Sequence, residues 1–401
     1  MTRRERVLMS LQHKQPDRIP IDLGAMDSTG ITGIAYNRLK KYLGINGGKT
    51  QVFDPYQQVV KIEKEVLEII GADVMSLPLE PRKWKASTLP DGSSCEIPEN
   101  WNQEKTADGS LVVKGADGNI VARMPEGGLY FEPVNPPLAS AETVKDIESK
   151  IQYIENFDWP SFCDESFDDL GKKAKNLYET TDYAIMGNFA VHILAAGQLL
   201  RGFEQFMVDL MINPEIAECI MDNLVNSFTK RFDKYNAAVG KYVQIVNVND
   251  DLGTEAAPML SKDLYQRTVG KYHKKLYRHI KKDSNLYLFL HTDGSVYDLI
   301  PDLIEAGVDI LNPVQFSCKD MQLERLKKEF GSKLTFWGGG CDTQKVLPFK
   351  NAKEVKENVK QCISVLAPGG GFVFNQVHNI QPDVSPENIM AMYEAVKEFK
   401  Y

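Results

Sequence analysis

Residues 286–314 read LYLFLHTDGSVYDLIPDLIEAGVDILNPV, a succession of strand, helix and strand patterns. The apolar runs Leu286–His291 and Val308–Val314 have the length and composition of buried β-strands. The segment between them, near residues 296–306, is predicted as a helix. A strand, a helix and a second strand in this order form a βαβ unit with parallel strands. The stretch therefore predicts an α/β fold.

The same alternation extends over the chain. The predicted strands are Arg18–Gly24, Ala72–Leu79, Tyr183–Phe189, Val243–Asn249, Leu286–His291, Val308–Val314, Leu334–Gly338 and Gly371–Val377. Helices are predicted after them, including Ile34–Leu43 and Tyr56–Ile70 between the first two strands. Eight strands in this alternation close a (β/α)₈ TIM barrel. The alternative, an open sheet that binds a dinucleotide, has no support because no G-x-G-x-x-G motif follows the first strand.

The segment from about 81 to 137 differs from the rest of the chain. Three hairpin-turn signals, Asp91-Gly92, Asp108-Gly109 and Asp117-Gly118, separate runs of alternating apolar and polar residues. We therefore predict a β-meander inserted after strand two of a single domain that spans residues 1–401. Insertions at this point project from the catalytic face of a barrel, so we expect the meander to form part of a lid or an interaction surface.

The composition limits the function classes. Hydrophobic residues make up 43% and charged residues 25% of the chain, and the net charge is −8. This acidic balance argues against nucleic acid or an anionic membrane as a partner. The cysteines form no CxxC pair, and the sequence shows neither an apolar signal region nor a long apolar run. We expect a cytoplasmic enzyme with free thiols.

Polar residues gather at the predicted C-terminal ends of the strands, where TIM barrels carry their active sites. They are Asp22, Asn188, Asp250, Asp251, His291, Asp293, Asn312, Gln315, Cys341 and His378. From their positions we predict Asp22, Asn188, Asn312 and Gln315 as substrate-binding residues.

Three acids follow strand four in the segment Asp250-Asp251-Leu-Gly-Thr-Glu255. Neighbouring carboxylates perform acid–base chemistry, hold a metal, or orient a hydroxyl or amine of a substrate. They also cap helices, which leaves a structural alternative open. We predict Asp250 and Asp251 as catalytic residues, together with His378, and Glu255 as a substrate-binding residue.

His291 and Asp293 lie two residues apart on an extended segment, so their side chains share one face. Cys341 and His378 come from strands seven and eight of the same barrel. Zinc accepts all three residue types, and three protein ligands with one open position are typical of catalytic sites. We predict a zinc site with His291, Asp293 and Cys341 as ligands and His378 in the same pool. The alternative is a metal-free site in which Cys341 is a small buried apolar residue.

Several segments resemble the uroporphyrinogen decarboxylase superfamily, over nearly the whole chain. They are 16–24 (PDRIPIDLG), 249–254 (NDDLGT), 291–297 (HTDGSVY), 300–315 (IPDLIEAGVDILNPVQ), 337–344 (WGGGCDTQ) and 378–389 (HNIQPDVSPENI). The resemblance implies a TIM-barrel enzyme with one of two activities. One is cofactor-free decarboxylation of porphyrinogens, and the other is zinc-dependent methyl transfer to or from a corrinoid protein.

The chain resembles the methyltransferase-like branch more closely. That branch carries a His-x-Cys-Gly zinc motif after strand five, which His291 and Gly294 match, whereas Asp293 occupies the Cys position. An aspartate oxygen is a harder ligand than a thiolate and leaves zinc more Lewis acidic. The resemblance implies a small methylated compound or a thiol carrier as substrate, zinc as cofactor and a corrinoid protein as partner.

Two alternatives remain. Porphyrinogen decarboxylases resemble one another in an Arg-rich loop after strand one, but this chain has Leu23-Gly-Ala-Met-Asp-Ser-Thr-Gly30 without Arg or Lys. Burial of a polycarboxylate beside Asp22 and Asp27 without cations is disfavoured, although His378 matches a histidine of the decarboxylases. The other alternative, motivated by Asp293, is a barrel that binds a ligand without catalysis.

Overall fold

Strands and helices alternate along the chain. The structure is a computed structural model that describes residues 1–115, 118–157, 163–282 and 284–401. The strands are β1 (Val52–Asp54), β2 (Val59–Val60), β3 (Val74–Leu77), β4 (Trp84–Thr88), β5 (Ser94–Pro98), β6 (Gln103–Lys105), β7 (Leu111–Lys114), β8 (Ile120–Met124), β9 (Glu132–Pro133), β10 (Ala184–Asn188), β11 (Ile245–Asn249), β12 (Tyr287–His291), β13 (Ile310–Asn312), β14 (Thr335–Trp337) and β15 (Phe372–Val373). The helices are α1 (Arg3–Leu11), α2 (Gly33–Tyr42), α3 (Lys64–Ile70), α4 (Val144–Ser149), α5 (Ile151–Glu155), α6 (Phe167–Thr180), α7 (Leu194–Arg201), α8 (Phe203–Ile212), α9 (Pro214–Val239), α10 (Lys262–Arg267), α11 (Val269–Lys282), α12 (Ile300–Ala306), α13 (Leu323–Phe330), α14 (Ala352–Leu366) and α15 (Pro386–Glu398), with 3₁₀ helices at Asp27–Thr29 and Tyr297–Leu299.

Seven parallel strands form the main sheet, in the order β15-β14-β13-β12-β11-β10-β3. Their register brings polar residues of different strands to one edge. Asn249 pairs with His291, and His291 pairs with Asn312. The ends of β11, β12 and β13 therefore lie side by side, as the strand-end pattern predicts.

Residues 20–22 close the sheet into a barrel. The Asp22 N–H donates to the Phe374 carbonyl at 2.9 Å, and the Asp73 N–H donates to the Ile21 carbonyl at 2.7 Å. This segment is shorter than the predicted first strand, because Pro20 has no N–H and the Asp22 side chain accepts from the Ala25 N–H. The seven strands and this segment confirm the predicted TIM barrel.

Helix α1 lies at the N-terminal end of the barrel. The Gly371 N–H, just before β15, donates to the Ser10 carbonyl at 2.8 Å. Val7 and Leu11 of α1 pack against the residues that fill the barrel interior. Those interior residues are Val74, Ala184, Met186, Ile245, Phe289, Ile310, Trp337 and Val373. Since the interior is a packed core and α1 occupies one end, a ligand site belongs at the other end.

The predicted meander is confirmed by β4–β9. β4 pairs with β5, and β6–β9 form a four-stranded antiparallel sheet. Gly92 and Gly109, at two of the predicted turns, have φ values of 81° and 83°, which glycine adopts readily. Asp117 of the third turn lies outside the described residues. The Gln381 side chain, beyond strand eight, donates to the Tyr130 hydroxyl at 2.8 Å, so the meander lies over the C-terminal face as expected.

The predicted helix Tyr56–Ile70 is wrong over its first half. β1 and β2 form a short antiparallel hairpin there, and α3 begins only at Lys64. The Asp54 carboxylate accepts the Tyr56 N–H at 2.9 Å, a local turn that competes with a helix. None of the described helices is long and apolar enough to cross a membrane.

Candidate active site

A cavity of about 980 Å³ opens at the C-terminal ends of the barrel strands. The predicted site residues among those that line it are Asp250, Asp251, His291, Asp293, Gln315 and His378. Leu129 and Tyr130 of the meander also line it. The insertion therefore forms part of the cavity wall.

Asn312 fixes the orientation of the His291 ring. His291 Nδ1 lies 2.9 Å from Asn312 Oδ1, and Asn312 Nδ2 donates to the Trp337 carbonyl at 2.9 Å. Because the amide nitrogen is used by that carbonyl, Oδ1 accepts and His291 Nδ1 carries the proton. Nε2 keeps its lone pair, toward which Ser28 Oγ donates at 3.1 Å. This is the arrangement of a histidine prepared to bind a metal through Nε2.

Asn379 orients His378 in the same way. His378 Nδ1 lies 3.0 Å from Asn379 Oδ1, and Asn379 Nδ2 donates to Gln57 Oε1 at 3.0 Å. The Tyr130 hydroxyl donates to the same Oδ1 at 3.3 Å. The amide oxygen is therefore the acceptor, and Nε2 of a neutral His378 has a free lone pair.

Asp293 lies between the two histidines. Its Oδ2 is 3.6 Å from Nε2 of His291 and 3.6 Å from Nε2 of His378. One ligand atom of each residue lies within 4.8 Å of the others. Tetrahedral zinc bonds of about 2.0–2.1 Å separate ligand atoms by about 3.3 Å, so the cluster is close to the size that zinc requires. Two imidazole nitrogens and one carboxylate oxygen fit zinc with an open fourth position.

Cys341, predicted as a metal ligand, is instead a core residue. Its side chain is fully buried within the hydrophobic core, and Sγ lies 3.9 Å from the Asp342 carbonyl. Burial raises the pKa of its thiol well above the usual range, which disfavours the thiolate that binds metal. His378, which we predicted as catalytic, takes its place in the cluster.

Asp250, predicted as catalytic, anchors helix α7. Its carboxylate accepts the N–H groups of Ile193, Leu194 and Ala195 at 2.7–2.8 Å and His273 Nε2 at 2.8 Å. Burial acts to raise the pKa of Asp250, but these hydrogen bonds outweigh it and lower the pKa. Both carboxylate oxygens of Asp250 accept hydrogen bonds, as the capping alternative requires.

Asp251 and Gln315 keep positions beside the cluster. The Asp251 side chain is 54% exposed, and its Oδ1 lies 4.0 Å from His291 Nε2. The same oxygen accepts the Asp293 N–H at 3.2 Å. Gln315 Oε1 accepts the Gly294 N–H at 2.8 Å. Both residues can contact a ligand that approaches His291.

Four predicted substrate-binding residues are absent from the described lining of the cavity. They are Asp22, Asn188, Glu255 and Asn312. Asp22 is buried beneath the cavity, where it accepts the Trp337 indole N–H at 2.9 Å and the Ala25 N–H at 2.9 Å. Burial raises the pKa of Asp22 to about 7, against the effect of these bonds. These two hydrogen bonds join the barrel interior to the loop after strand one.

The other three residues bond elsewhere in the protein. Asn188 Nδ2 donates to Ser76 Oγ at 3.1 Å, and Asn312 orients His291. Glu255 is exposed and accepts the Gln344 amide at 3.1 Å. A position at a strand end predicts where these residues lie along the barrel axis, but not the direction of their side chains.

Sequence reasoning gave no role to two acids near the cluster. Asp27 lines the cavity. Asp54 is buried and interacts electrostatically with Asp27. Burial and the charge of Asp27 raise the pKa of Asp54, and burial raises the pKa of Asp27, partly opposed by His291. The pair therefore favours one proton held mainly by Asp54, whose pKa is raised further, and Asp27 is the ionised partner. Its place in the loop after strand one was the signal for Asp27, whereas Asp54 lies on the unpredicted β1–β2 hairpin.

His192 is a second residue without a predicted role. It lines the cavity, is only 9% exposed, and its Nε2 has no hydrogen-bond partner among the described residues. Burial lowers the pKa of His192, so its ring is neutral near pH 7. A buried, unpaired nitrogen at a cavity wall marks a position for an ordered water or a polar group of a ligand.

Two glycines let the loops after β11 and β12 cross. Gly294 has a φ of +86°, and a Cβ at this position would lie 2.5 Å from the Gly253 carbonyl carbon. The Ser295 N–H donates to the Thr254 carbonyl at 2.7 Å beside this contact. The crossing holds Asp293 against the cluster.

Fold and site together define a TIM-barrel protein with a metal-capable His–Asp–His cluster at the C-terminal ends of its strands. The sequence model for uroporphyrinogen decarboxylase (URO-D) matches residues 169–399, and the chain belongs to this family. The family predicted from the sequence motifs is confirmed.

Similar proteins include enzymes of both kinds. The chain is 25% identical to the uroporphyrinogen decarboxylase of Pseudomonas fluorescens over 210 residues, 51% of this chain and 54% of that protein. It is 27% identical to the methionine synthase of Methanocaldococcus jannaschii over 147 residues, 36% of this chain and 42% of that protein. The chain thus spans about half the length of the curated relatives it matches.

A solved structure with the same fold is described as a methyltransferase from Methanosarcina mazei. It aligns with a TM-score of 0.60 and 15% sequence identity over 100% of this chain and 99% of that chain. At this identity the match shows the shared barrel architecture.

Proposed function

We propose that this protein is a methyltransferase that moves a methyl group between a small methylated compound or thiol carrier and a corrinoid on a partner protein. The observation that carries the proposal is the His291–Asp293–His378 cluster, in which one carboxylate oxygen lies 3.6 Å from two histidine nitrogens. The cluster lies in a cavity of about 980 Å³, which has room for a small substrate and for part of a carrier.

Zinc held by these three side chains would supply a Lewis acid that lowers the pKa of a bound thiol. Asp293 stands where the related zinc motif has cysteine, so the protein offers an oxygen where the motif offers a sulfur. Asn312 and Asn379 hold both imidazole rings so that Nε2 faces the cavity. The chain therefore prepares the ligand geometry through amide side chains that hydrogen-bond the two histidines.

Asp251 and Gln315 are the residues that we propose to contact the substrate. Asp251 Oδ1 is 4.0 Å from His291 Nε2, so a group bound near that nitrogen meets this carboxylate. Tyr130 and Leu129 of the meander also line the cavity, where they would restrict the entry of water.

The comparisons support this choice. A methionine synthase is among the relatives, and a protein described as a methyltransferase shares the whole fold. We propose that residues 1–401 act as one barrel domain and that the enzyme works in the cytoplasm. The corrinoid partner and the zinc ion rest on the resemblance and on the donor set of the cluster.

Decarboxylation of a porphyrinogen is the weaker alternative despite the decarboxylases among the relatives. The described residues that line the cavity include Asp27, Asp251 and Asp293 but no lysine or arginine. A substrate with several carboxylates would therefore meet like charges without compensation. The third alternative is a barrel that only binds a small molecule. Such a protein would need neither side chains ordered around a metal nor an open coordination position.

The test is methyl transfer from methylcobalamin to a panel of thiols, followed by the absorption of cob(I)alamin. We expect turnover by the zinc-loaded protein and at least a hundredfold loss in His291→Ala and His378→Ala. Glu357→Gln, an exposed acid of α14 outside the cavity lining, serves as the control. No cob(I)alamin with any thiol, combined with turnover of uroporphyrinogen, would overturn the proposal in favour of decarboxylation.

A further inference from the structure

The walls of the cavity carry an unbalanced negative charge. Its acids among the described lining residues are Asp27, Glu132, Asp250, Asp251 and Asp293, and the same residues include no lysine or arginine. Asp250 is neutralised by the N-terminus of α7 and by His273. Asp27 and Asp251 form no ion pair with a lysine or arginine of the described chain, and both lie near His291.

A metal ion does not remove this imbalance. Asp27, Asp251 and Asp293 supply three carboxylates, and a divalent ion at the cluster supplies two positive charges. Glu132 adds a further carboxylate at the wall. The loaded site therefore still favours a positively charged ligand over a neutral or anionic one.

A second observation indicates that a ligand fills this space. His192 Nε2 is buried at the cavity wall without a hydrogen-bond partner among the described residues. The ring is 9% exposed, so bulk water does not compensate the nitrogen freely. A ligand hydroxyl, which can both donate and accept, would satisfy it in either tautomer of the ring.

We propose that the substrate which donates the methyl group is a quaternary ammonium compound, whose positive charge is held by Asp27 and Asp251. This inference rests on the proposed function, since it names the substrate class for the same cavity. Tyr130 and Phe203 line the cavity as well and add aromatic surface, which also attracts onium ions. A small onium ion fills only part of 980 Å³, which leaves room for the methyl acceptor.

The chemistry of such a donor balances without a proton. The N–CH₃ bond breaks and its electron pair stays on nitrogen, which leaves as a neutral tertiary amine. The new bond to the methyl carbon uses the electron pair of the nucleophile, cob(I)alamin or a thiolate. An ether or a neutral amine would need a proton on the leaving group, whereas the positive charge of the ammonium makes the amine a leaving group by itself.

The test compares choline with its uncharged isostere 3,3-dimethylbutan-1-ol, by calorimetry on the zinc-loaded 401-residue protein. Tetramethylammonium is a second, smaller cationic probe. We expect choline to bind at least about tenfold more tightly than the isostere, because the two molecules differ only in charge. Added salt should reduce this preference.

Variants assign the effect to the two carboxylates. Asp251→Asn and Asp27→Asn should each weaken choline binding about tenfold and leave binding of the isostere unchanged. Glu357→Gln, an exposed acid of α14 that does not line the cavity, should change neither. The Asp251 side chain is 54% exposed, so its variant is expected to fold even where Asp27→Asn does not.

Equal binding of choline and the isostere, failure of both cations to bind, or choline binding that is unchanged in Asp251→Asn would overturn the inference. The methylcobalamin assay is scored separately. Choline binding without methyl transfer would overturn the proposed function and leave the cation site standing. Methyl transfer from neutral donors without onium binding would overturn the cation site and leave the proposed function standing.

Discussion

His291 Nδ1 and Asn312 Oδ1 lie 2.9 Å apart, on neighbouring strands whose registers pair these two residues. The Asn312 amide nitrogen is committed to the Trp337 carbonyl, so the amide cannot rotate without loss of a buried hydrogen bond. The relationship sets the tautomer of the histidine and turns its Nε2 to the cavity. Asn312 would therefore act through His291 on a metal bound at the cluster.

Replacement of Asn312 by alanine should weaken zinc binding about 10–100-fold, the usual effect of removing a partner of a metal-binding histidine. Competition with a chromophoric chelator measures the affinity. Asn375→Ala is the matched control, because Asn375 is also fully buried and donates to the Asp22 carbonyl. Equal loss of zinc affinity in both variants would show that the effect is only general destabilisation.

Asp293→Cys should retain one equivalent of zinc and bind it more tightly than the wild type. The substitution restores the His-x-Cys-Gly pattern. A thiolate is a softer ligand than a carboxylate, and soft ligands favour zinc over harder metals such as magnesium. Asp293→Ala should lose the metal, whereas Cys341→Ala should keep it because Cys341 lies in the core. Zinc loss in Cys341→Ala, with the wild type loaded, would contradict the assignment of His378 as the third ligand.

Gly294→Ala should disrupt the site more than a general glycine substitution does. The new Cβ would lie 2.5 Å from the Gly253 carbonyl carbon, in addition to the strain of a φ of +86°. Gly44→Ala isolates the strain, since Gly44 has a φ of +73° and nothing within 4 Å of the added atom. We expect both variants to lower the melting temperature, and only Gly294→Ala to reduce zinc stoichiometry and turnover.

The barrel could be predicted because its strands are continuous apolar runs with regular spacing. The predicted strand Leu286–His291 matches Tyr287–His291, and the Asp-Gly turns correctly indicated the meander. Strand one was harder to predict. Pro20 has no N–H and the Asp22 carboxylate accepts from the Ala25 N–H, so the segment forms only a β-bridge between Ile21 and Phe374. Here local chemistry overrides an apolar pattern.

The candidate site was less predictable, since a strand-end position does not give side-chain direction. Gly338 and Gly339 have φ values of 88° and 76°, which breaks the alternation from which the direction of Cys341 would be read. Asp250 caps residues 193–195, more than fifty positions away in the chain. Contacts of this range depend on how the loops cross, which a single sequence does not encode in a local pattern.

The last prediction concerns Asp22, whose pKa is raised by burial to about 7. In the unfolded chain the same carboxyl has an ordinary pKa of about 3.9. Because the native pKa is the higher one, the native state holds a proton that the unfolded state loses, and ionisation of Asp22 opposes folding. Its effect is absent below about pH 4, lowers the free energy of unfolding by up to about 1.4 kcal/mol per pH unit as pH rises toward 7, and is constant above.

Asp22→Asn removes this dependence, although one of the two bonds to Ala25 and Trp337 is lost at every pH. Urea unfolding from pH 4 to 9 should therefore show a difference between wild type and variant that changes only between about pH 4 and pH 7. The fluorescence of Trp337, whose indole N–H donates to Asp22, should titrate near pH 7 in the wild type and stay flat in Asp22→Asn. A difference in unfolding free energy that is independent of pH over this window would show that Asp22 is ionised throughout and is stabilised by its two donors.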